Sequence, residues 1–486
     1  MGKTHYELPV DLDAESRLKT GAFYTPENIV DFMIARLLEG RVSPVKICDY
    51  ACGSGAFLAG VLRYVRQKAP RYYGEWCAHL YGIDINPNAL ALARKNLPDI
   101  PDKNFICADT LSDSSIEKDK FDIIAGNPPY LCGGVRDREA FSAAEQARLK
   151  EGFPNSFEYK MNLFALFIER AAFLADEFSL IVPDTLLCGR YFSKLRSFLL
   201  QNFQLKGLFL LEKPPFDASP GNAVILHACR RKKETPLQLT ACCRFAPGSS
   251  LSRDTFHLVD QRRFQQESRC RFQLTHSAVE EKIIAKLFSA AVPLKELFSF
   301  ASGIISKTGK KTIVTDTPDE GTAPALILGR EVTPFQIRWR KNYLKLDPAN
   351  IKSGLKHERF LQEKIFLRQT GASLIAAVSR EKLYALNNCH VGTPLADFPL
   401  DTLAALLNST VMTYLYRYLS GENNRNFAQI DIDLLKELPL RRDEAFDNFA
   451  RECSFSPAAR AGLDGQCARL YGLTQGELDY IKSLMK

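Results

Sequence analysis

No apolar run in this 486-residue chain is long enough to cross a bilayer. The opening Met1-Gly2-Lys3-Thr4-His5-Tyr6 does not read as a signal peptide, and Tyr6 breaks the myristoylation pattern. Paired Cys-x-x-Cys spacing is missing too: the 13 cysteines are odd in number and scattered, and Cys242-Cys243 is not a metal signature. We read reduced thiols in a cytoplasmic protein. Only 7 histidines are present, and no internal repeat or low-complexity tract is evident. A membrane protein, a disulfide scaffold and a repeat array are thereby set aside.

What is present is ample core material. A hydrophobic content of 46% over this length supports two or three domains. The net charge of +8 is modest, but its distribution is not even. Residues 301–380 hold 14 Lys and Arg against 7 Asp and Glu, almost the whole excess. Arg330, Arg338, Arg340, Lys341 and Arg368 stand there among Phe335, Tyr343 and Phe366. Basic side chains position a phosphate backbone and Arg reads base edges. For any single one of them, a solvated basic face is the plainer reading.

The first half alternates strand and helix patterns. Val45–Asp49 reads as a buried strand, followed by the glycine turn Ala51-Cys52-Gly53-Ser54-Gly55. Ala56, Phe57, Leu58, Val61, Leu62 and Val65 then recur at helical spacing. Strand, glycine turn and helix let a cofactor approach the backbone, although tight packing alone also uses such turns. No Lys-Ser or Lys-Thr follows, so this is not a phosphate loop. A second strand, His79–Ile83, ends at Asp84, where nucleotide-binding α/β folds hold a ribose diol. Asp84 lies 35 residues after Asp49, against the ~20 of the dinucleotide fingerprint, which disfavours NAD. A third strand, Phe105–Ala108, ends at Asp109, whose carboxylate suits an adenine amino group; a helix N-cap is the plain alternative for either acid. Upstream, Thr25 is expected to cap a helix that has Pro26 at its first position.

The most specific feature is Asn127-Pro128-Pro129-Tyr130, at the end of the apolar run Phe121–Gly126. Prolines fix φ and restrict the residue before them, so the Asn127 amide and the Pro128 carbonyl are held side by side. Two acceptors aimed at one point suit an exocyclic amino group with two hydrogens. Tyr130 adds a flat face for a planar ring. Alone the tetrapeptide also reads as an ordinary turn.

Taken in order, YTP (24–26), DYACGSGAF (49–57), GIDINP (82–87), CADTL (107–111) and NPPY (127–130) resemble the S-adenosylmethionine-dependent adenine-N6 DNA methyltransferases of the γ class. The resemblance continues through residues 162–169 and 180–184 and reaches Phe216 in KPPFDASPGNAVIL (213–226). It implies an α/β fold: a Rossmann-like methyltransferase domain with a mixed, mostly parallel seven-stranded sheet, followed by a mixed α+β DNA-recognition domain. It also implies that Asn127 and the Pro128 carbonyl hold the target amine, with Pro129 keeping the clamp rigid, while Tyr130 and Phe216 sandwich a flipped adenine. Asp84 would bind the cofactor ribose, Ile85 pack on its adenine and Asp109 accept from that adenine's amino group. Thr25, Asp49, Gly53 and Gly55 would line the methionine end, with Phe167 packing nearby. Tyr50 stands where the family usually has proline.

An aryl amine is a poor nucleophile, so the implied chemistry rests on two fixed acceptors and in-line alignment with an activated methyl group. It requires no metal or covalent nucleophile. We expect a catalytic domain over 1–240, a target-recognition domain over 245–440, where LGREVTPF (328–335) and FAQIDIDLLKELPL (427–440) resemble the family, and a helical extension over 441–486. The segment between Tyr130 and Tyr159, with Arg136, Arg138, Arg148 and Lys150, is expected to be a mobile loop closing over DNA. We expect the short leader to leave no room for a nuclease fused ahead of the catalytic domain, so the expected partner is double-stranded DNA, with the enzyme either solitary or beside a separately encoded restriction endonuclease, as a monomer in a bacterial or archaeal cytoplasm. Two other readings remain open from the residues: a methyltransferase acting on RNA or protein glutamine, and a recognition subunit without turnover.

Overall fold

The computed structural model describes residues 25–485 except 119, 131–141, 159–160, 213–220, 233–238, 246–249, 252–255, 276 and 422–428. The chain divides into two compact units, one running to His276 and one from Ser277.

The first unit is built on a mixed sheet. Its strands are β1 (Ile47–Asp49), β2 (Leu80–Asp84), β3 (Phe105–Cys107), β4 (Phe121–Gly126), β5 (Ala175–Pro183), β6 (Phe203–Leu211), β7 (Ala223–Arg230), β8 (Leu239–Phe245) and β9 (His257–Asp260). Their spatial order is 3-2-1-4-5-7-6-8-9. Strands β3, β2, β1, β4 and β5 run parallel to one another, and β7 is antiparallel to both its neighbours. Because strand side chains alternate faces, successive residues enter opposite cores. Ile47, Ile123, Ala125 and Ile181 join the layer that holds helices α1 (Glu27–Leu37) and α2 (Ala56–Lys68). Cys48, Ile124, Leu180 and Val182 join the layer that holds α3 (Leu163–Leu174). Burial on both faces is why β4 reads as a continuous apolar run. Each fully buried Leu or Ile contributes about 1.5–3 kcal/mol of transfer free energy.

Three expectations need correction. The sheet has nine strands among the described residues, not seven, because β8 pairs parallel to β6 and β9 antiparallel to β8. An open β6 edge would expose unpaired backbone groups, and β8 covers it. Thr25 does not cap α1: Pro26 itself occupies the cap position, and its carbonyl accepts from Ile29 N and Val30 N with no side-chain cap. Arg148 and Lys150 lie on a helix, Ala143–Gly152, opened by a capping box between Ser142 and Glu145. Arg136 and Arg138 lie outside the described residues.

The second unit combines short strands with helices. Phe298–Ser302, Cys389–Pro394, Lys364–Arg368 and Ala376–Ser379 form an antiparallel sheet in that spatial order. Alternation again divides the cores: Ile365 and Leu367 enter one and Phe366 the other. The helix Gln475–Leu484 opens with the Thr474–Glu477 capping box read from the sequence and buries Leu478 and Ile481.

Candidate functional site

In the order 3-2-1-4-5 the chain reverses direction between β1 and β4, and ligands of open α/β sheets bind beyond the carboxyl ends of strands at such a switch point. Asp49 ends β1 opposite Gly82, Asp84 ends β2 opposite Cys107, and Gly126 ends β4 opposite Leu180. The parallel register therefore brings Asp49, Asp84 and Asn127 to one edge of the sheet.

The glycine turn is fastened to β2. Cys52 N donates to the Ile83 carbonyl at 2.9 Å, and Gly53 N to Asp84 Oδ2 at 2.8 Å. Asp84 Oδ1 accepts from Asn86 N at 2.8 Å. Gly55 has φ 88°, which favours glycine, and a Cβ there would stand 2.5 Å from Leu97 Cδ1 and oblige that side chain to shift. Gly53, at φ 51°, differs: a Cβ there would meet nothing within 4 Å, leaving its backbone uncovered. Beside it, Ile85 is 70% exposed. Asp109 accepts from Leu111 N at 3.0 Å and from the Ser112 hydroxyl, so it caps its own turn.

Asp49 is buried. Desolvation pushes its carboxyl up to about 8; the Ala51 N–H it accepts at 3.2 Å pulls it down, and the Asp84 charge adds a further upward push. A Cβ on Gly126 would stand 2.7 Å from Asp49 Oδ1, so the residue before the glycine turn and the residue before the clamp are in direct contact. Tyr50, also buried, spans to α3: its hydroxyl donates to the Phe167 carbonyl at 2.9 Å and its ring meets Phe167 edge-on. Thr110 Oγ1 donates to the Tyr50 carbonyl at 2.6 Å.

In the clamp, Pro128 is buried, and Asn127, Pro129 and Tyr130 are half-buried. The Tyr130 hydroxyl donates to the Ile181 carbonyl on β5 at 2.9 Å, and burial pushes its phenol well up. That bond fixes the ring at the end of the neighbouring strand. Thr25 is half-buried, while Phe216 lies outside the described residues.

Thus the expected Asp49, Gly53, Gly55, Asp84, Ile85 and Asn127 gather at one edge, and Phe167 is reached through Tyr50. Sequence reasoning missed three supports: Gly126, Thr110 and Glu169. Glu169 is fully buried on α3 and accepts from Asn155 Nδ2 and Ser156 Oγ, each at 2.7 Å. Its only signal was an acid within the apolar run 163–174.

In the second unit, Arg330, Arg338, Arg340 and Lys341 are all exposed. The loop that carries them is organised from beneath by Glu331, which is 1% exposed. Its carboxylate accepts from Ile327 N and Leu328 N at 2.8 Å and from Arg340 N at 3.2 Å. Arg368 is only half-exposed and donates to the Gly329 and Val332 carbonyls at 3.1 and 2.7 Å. Its guanidinium holds the loop.

A family model described as N-6 DNA Methylase matches residues 3–292, and one described as a TaqI-like C-terminal specificity domain matches residues 325–440. The type I restriction enzyme MpnII methylase subunit of Mycoplasma pneumoniae is 29% identical over 168 residues, 31% of this chain and 30% of that protein. The type II methyltransferase M.TthHB8I of Thermus thermophilus is 30% identical over 199 residues, 40% of this chain and 42% of that protein. The matched stretches thus span less than half the length of these curated relatives. Among solved structures, the type IIL restriction-modification enzyme MmeI in complex with DNA superposes with a TM-score of 0.59 at 13% identity, covering 98% of this chain and 80% of that one. A nuclease-deletion mutant of the type ISP enzyme LlaGI gives 0.54 at 13% identity, covering 89% and 54%. At such identities the likeness is one of fold.

Proposed function

Because this chain belongs to the N-6 DNA methylase family, we propose that it transfers a methyl group from S-adenosylmethionine to N6 of adenine at a particular sequence in duplex DNA. One observation carries the reading: across the β1/β4 switch point, Asp49, the last residue of β1 before the glycine turn, lies against Gly126, the residue before the clamp. A cofactor held by that loop and an amine held by Asn127 would share one wall.

The residues present fit such a cofactor. The uncovered backbone of Gly53 leaves room for a ligand, and the exposed Ile85 offers an apolar face for a purine. Asp84 keeps acceptor capacity for a ribose diol, since a carboxylate has about four lone-pair sites and the backbone N–H groups of Gly53, Asn86 and Ile85 do not fill them all. Asp49, whose carboxyl lies against Gly126, would meet the cationic methionine end with Thr25 and Gly55. Asp109 would accept from the cofactor's adenine, and Phe167 would pack beside it. When bound, the cofactor supplies an already activated methyl group.

The chain's own residues do the rest. Asn127 Oδ1 and the Pro128 carbonyl accept the two N6 hydrogens and concentrate the nitrogen lone pair as the transition state forms. Pro129 keeps that pair of acceptors rigid. Tyr130, steadied by its bond to Ile181, and Phe216 stack on the extruded base and offset its lost neighbours. The first unit would perform the chemistry. The second would recognise the target, with Arg330, Arg338, Arg340 and Lys341 on its DNA face and Arg368 holding the loop that bears them. We further propose a monomer in a bacterial or archaeal cytoplasm that works beside a separately encoded restriction endonuclease.

The experiment is methyl transfer to unmethylated duplex genomic DNA, with N6-methyladenine quantified by mass spectrometry for the wild type and Asn127→Ala. Loss of one fixed acceptor should lower turnover by about 10²-fold or more. A wild type that binds the cofactor yet methylates only RNA or protein, or nothing, would overturn the reading.

A further inference from the structure

The second unit contains an open concavity of about 730 Å3 formed by Ala301–Gly303 and by residues between Pro348 and Arg359. Its floor is drawn tight by two glycines. Gly354 has φ 87°, and a Cβ there would stand 2.5 Å from the Gly303 carbonyl oxygen. The charged or titratable lining groups are Lys352, Lys356, His357 and Arg359, with no carboxylate among them. Among the described residues Lys352, Lys356 and Arg359 have no ion-pair partner. Burial pulls the Arg359 guanidinium below its usual range, as expected of a cation partly withdrawn from water without an anion. His357 Nδ1 lies 2.9 Å from the Tyr384 hydroxyl. With Tyr384 donating, the neutral ring presents its Nε2–H as a further donor.

We infer that this concavity is a binding site for the sugar–phosphate backbone of the DNA duplex, engaged by Lys352, Lys356, His357 and Arg359. The inference rests on the proposed action on DNA and extends it to a site separate from the loop of Arg330, Arg338 and Arg340. Three unpaired cations and an imidazole donor suit phosphate oxygens. The volume exceeds what one phosphate fills and admits a short length of backbone. Apart from His357, whose ring already meets Tyr384 edge-on, the lining holds no aromatic side chain on which a free nucleotide base could stack, which favours a backbone contact over a nucleotide pocket. Such a contact carries register and affinity and no sequence information.

The test is the salt dependence of binding to fluorescent 30-mer duplexes of unrelated sequence, measured with the full chain. The proteins compared are wild type, Lys352→Gln/Lys356→Gln, and Lys382→Gln as an exposed lysine outside the concavity. Both substituted lining lysines are exposed, so the core is undisturbed. Removing two lysine–phosphate pairings should lower the slope of log K against log[KCl] by about 1.8, equally for every sequence. Lys382→Gln should match the wild type. A double variant that keeps the wild-type slope, while the wild type binds and methylates DNA, overturns this site alone. An equal drop in slope for Lys382→Gln reduces the effect to general charge and also overturns it. A wild type that neither binds nor methylates DNA overturns both this site and the proposed function. Calorimetry with inorganic phosphate separates the sources: phosphate binding that disappears in the double variant, with an unchanged DNA slope, assigns a free anion and not DNA.

Discussion

The hydroxyl of Tyr50 donates to the main-chain carbonyl of Phe167 across 2.9 Å, joining the residue after β1 to the middle of α3. Proline, usual at this position in the family, has no side-chain donor to make that bond. The substitution therefore adds a tether between the glycine loop and the helix behind it. Tyr50→Phe keeps the ring contact and leaves the Phe167 carbonyl without this donor. The carbonyl keeps its helical donor, so we expect a loss of about 0.5–1.5 kcal/mol in urea denaturation, the range for one intramolecular hydrogen bond. An unchanged midpoint would show that the tether is energetically idle.

Gly126 is small because Asp49 is there. An alanine methyl would stand 2.7 Å from Asp49 Oδ1, closer than real Cβ atoms come. The strain of overpacking should cost about 1–3 kcal/mol. Since Asp49 must move, cofactor affinity measured by equilibrium dialysis should fall along with stability. Destabilisation with unaltered cofactor affinity would separate Gly126 from the site.

Asp49 makes stability depend on pH. Its folded carboxyl is raised to about 8 by burial, while an unfolded aspartate titrates near ~3.9. Between these values the unfolded chain releases a proton that the folded chain keeps, so stability falls as pH rises through that window and levels off above it. Asp49→Asn keeps an acceptor for Ala51 N and cannot titrate. The difference in urea midpoint between wild type and variant should therefore move in the variant's favour from pH 5 to pH 8. A constant difference would mean that Asp49 is ionised throughout.

Glu331→Ala sets two effects against each other. Coulomb attraction alone predicts tighter DNA binding, because a negative charge leaves a basic region. Yet the carboxylate accepts from Ile327 N, Leu328 N and Arg340 N, and its loss orphans all three donors. We expect loop order to dominate: weaker DNA binding by fluorescence anisotropy and a stability loss of about 1–3 kcal/mol. Tighter binding would show that the loop does not need its buried anchor.

Much of the first unit was legible because local chemistry repeats at fixed intervals. Phe121–Gly126 reads as a buried strand and is one, and Asp84 ends β2 as expected. The errors have local causes. Ser142-Ala143-Ala144-Glu145 is a capping-box sequence, but it lay in a polar segment without an apolar stripe and so read as loop. Arg368 reads as a DNA contact by composition, whereas its guanidinium is bonded to two carbonyls.

By itself the sequence determined which groups stand at strand ends. Apolar period, proline and glycine are properties of a few consecutive residues, and they set where β1, β2 and β4 stop and hence where Asp49, Asp84 and Asn127 sit. Only the tertiary structure decided which strand ends are neighbours. The contact between Asp49 and Gly126 spans more than seventy residues and exists because β1 and β4 pair in one register. The same holds for Tyr50 with Phe167. A hydrogen bond needs two atoms within about 3 Å, and that distance is settled by the packing of whole elements against each other.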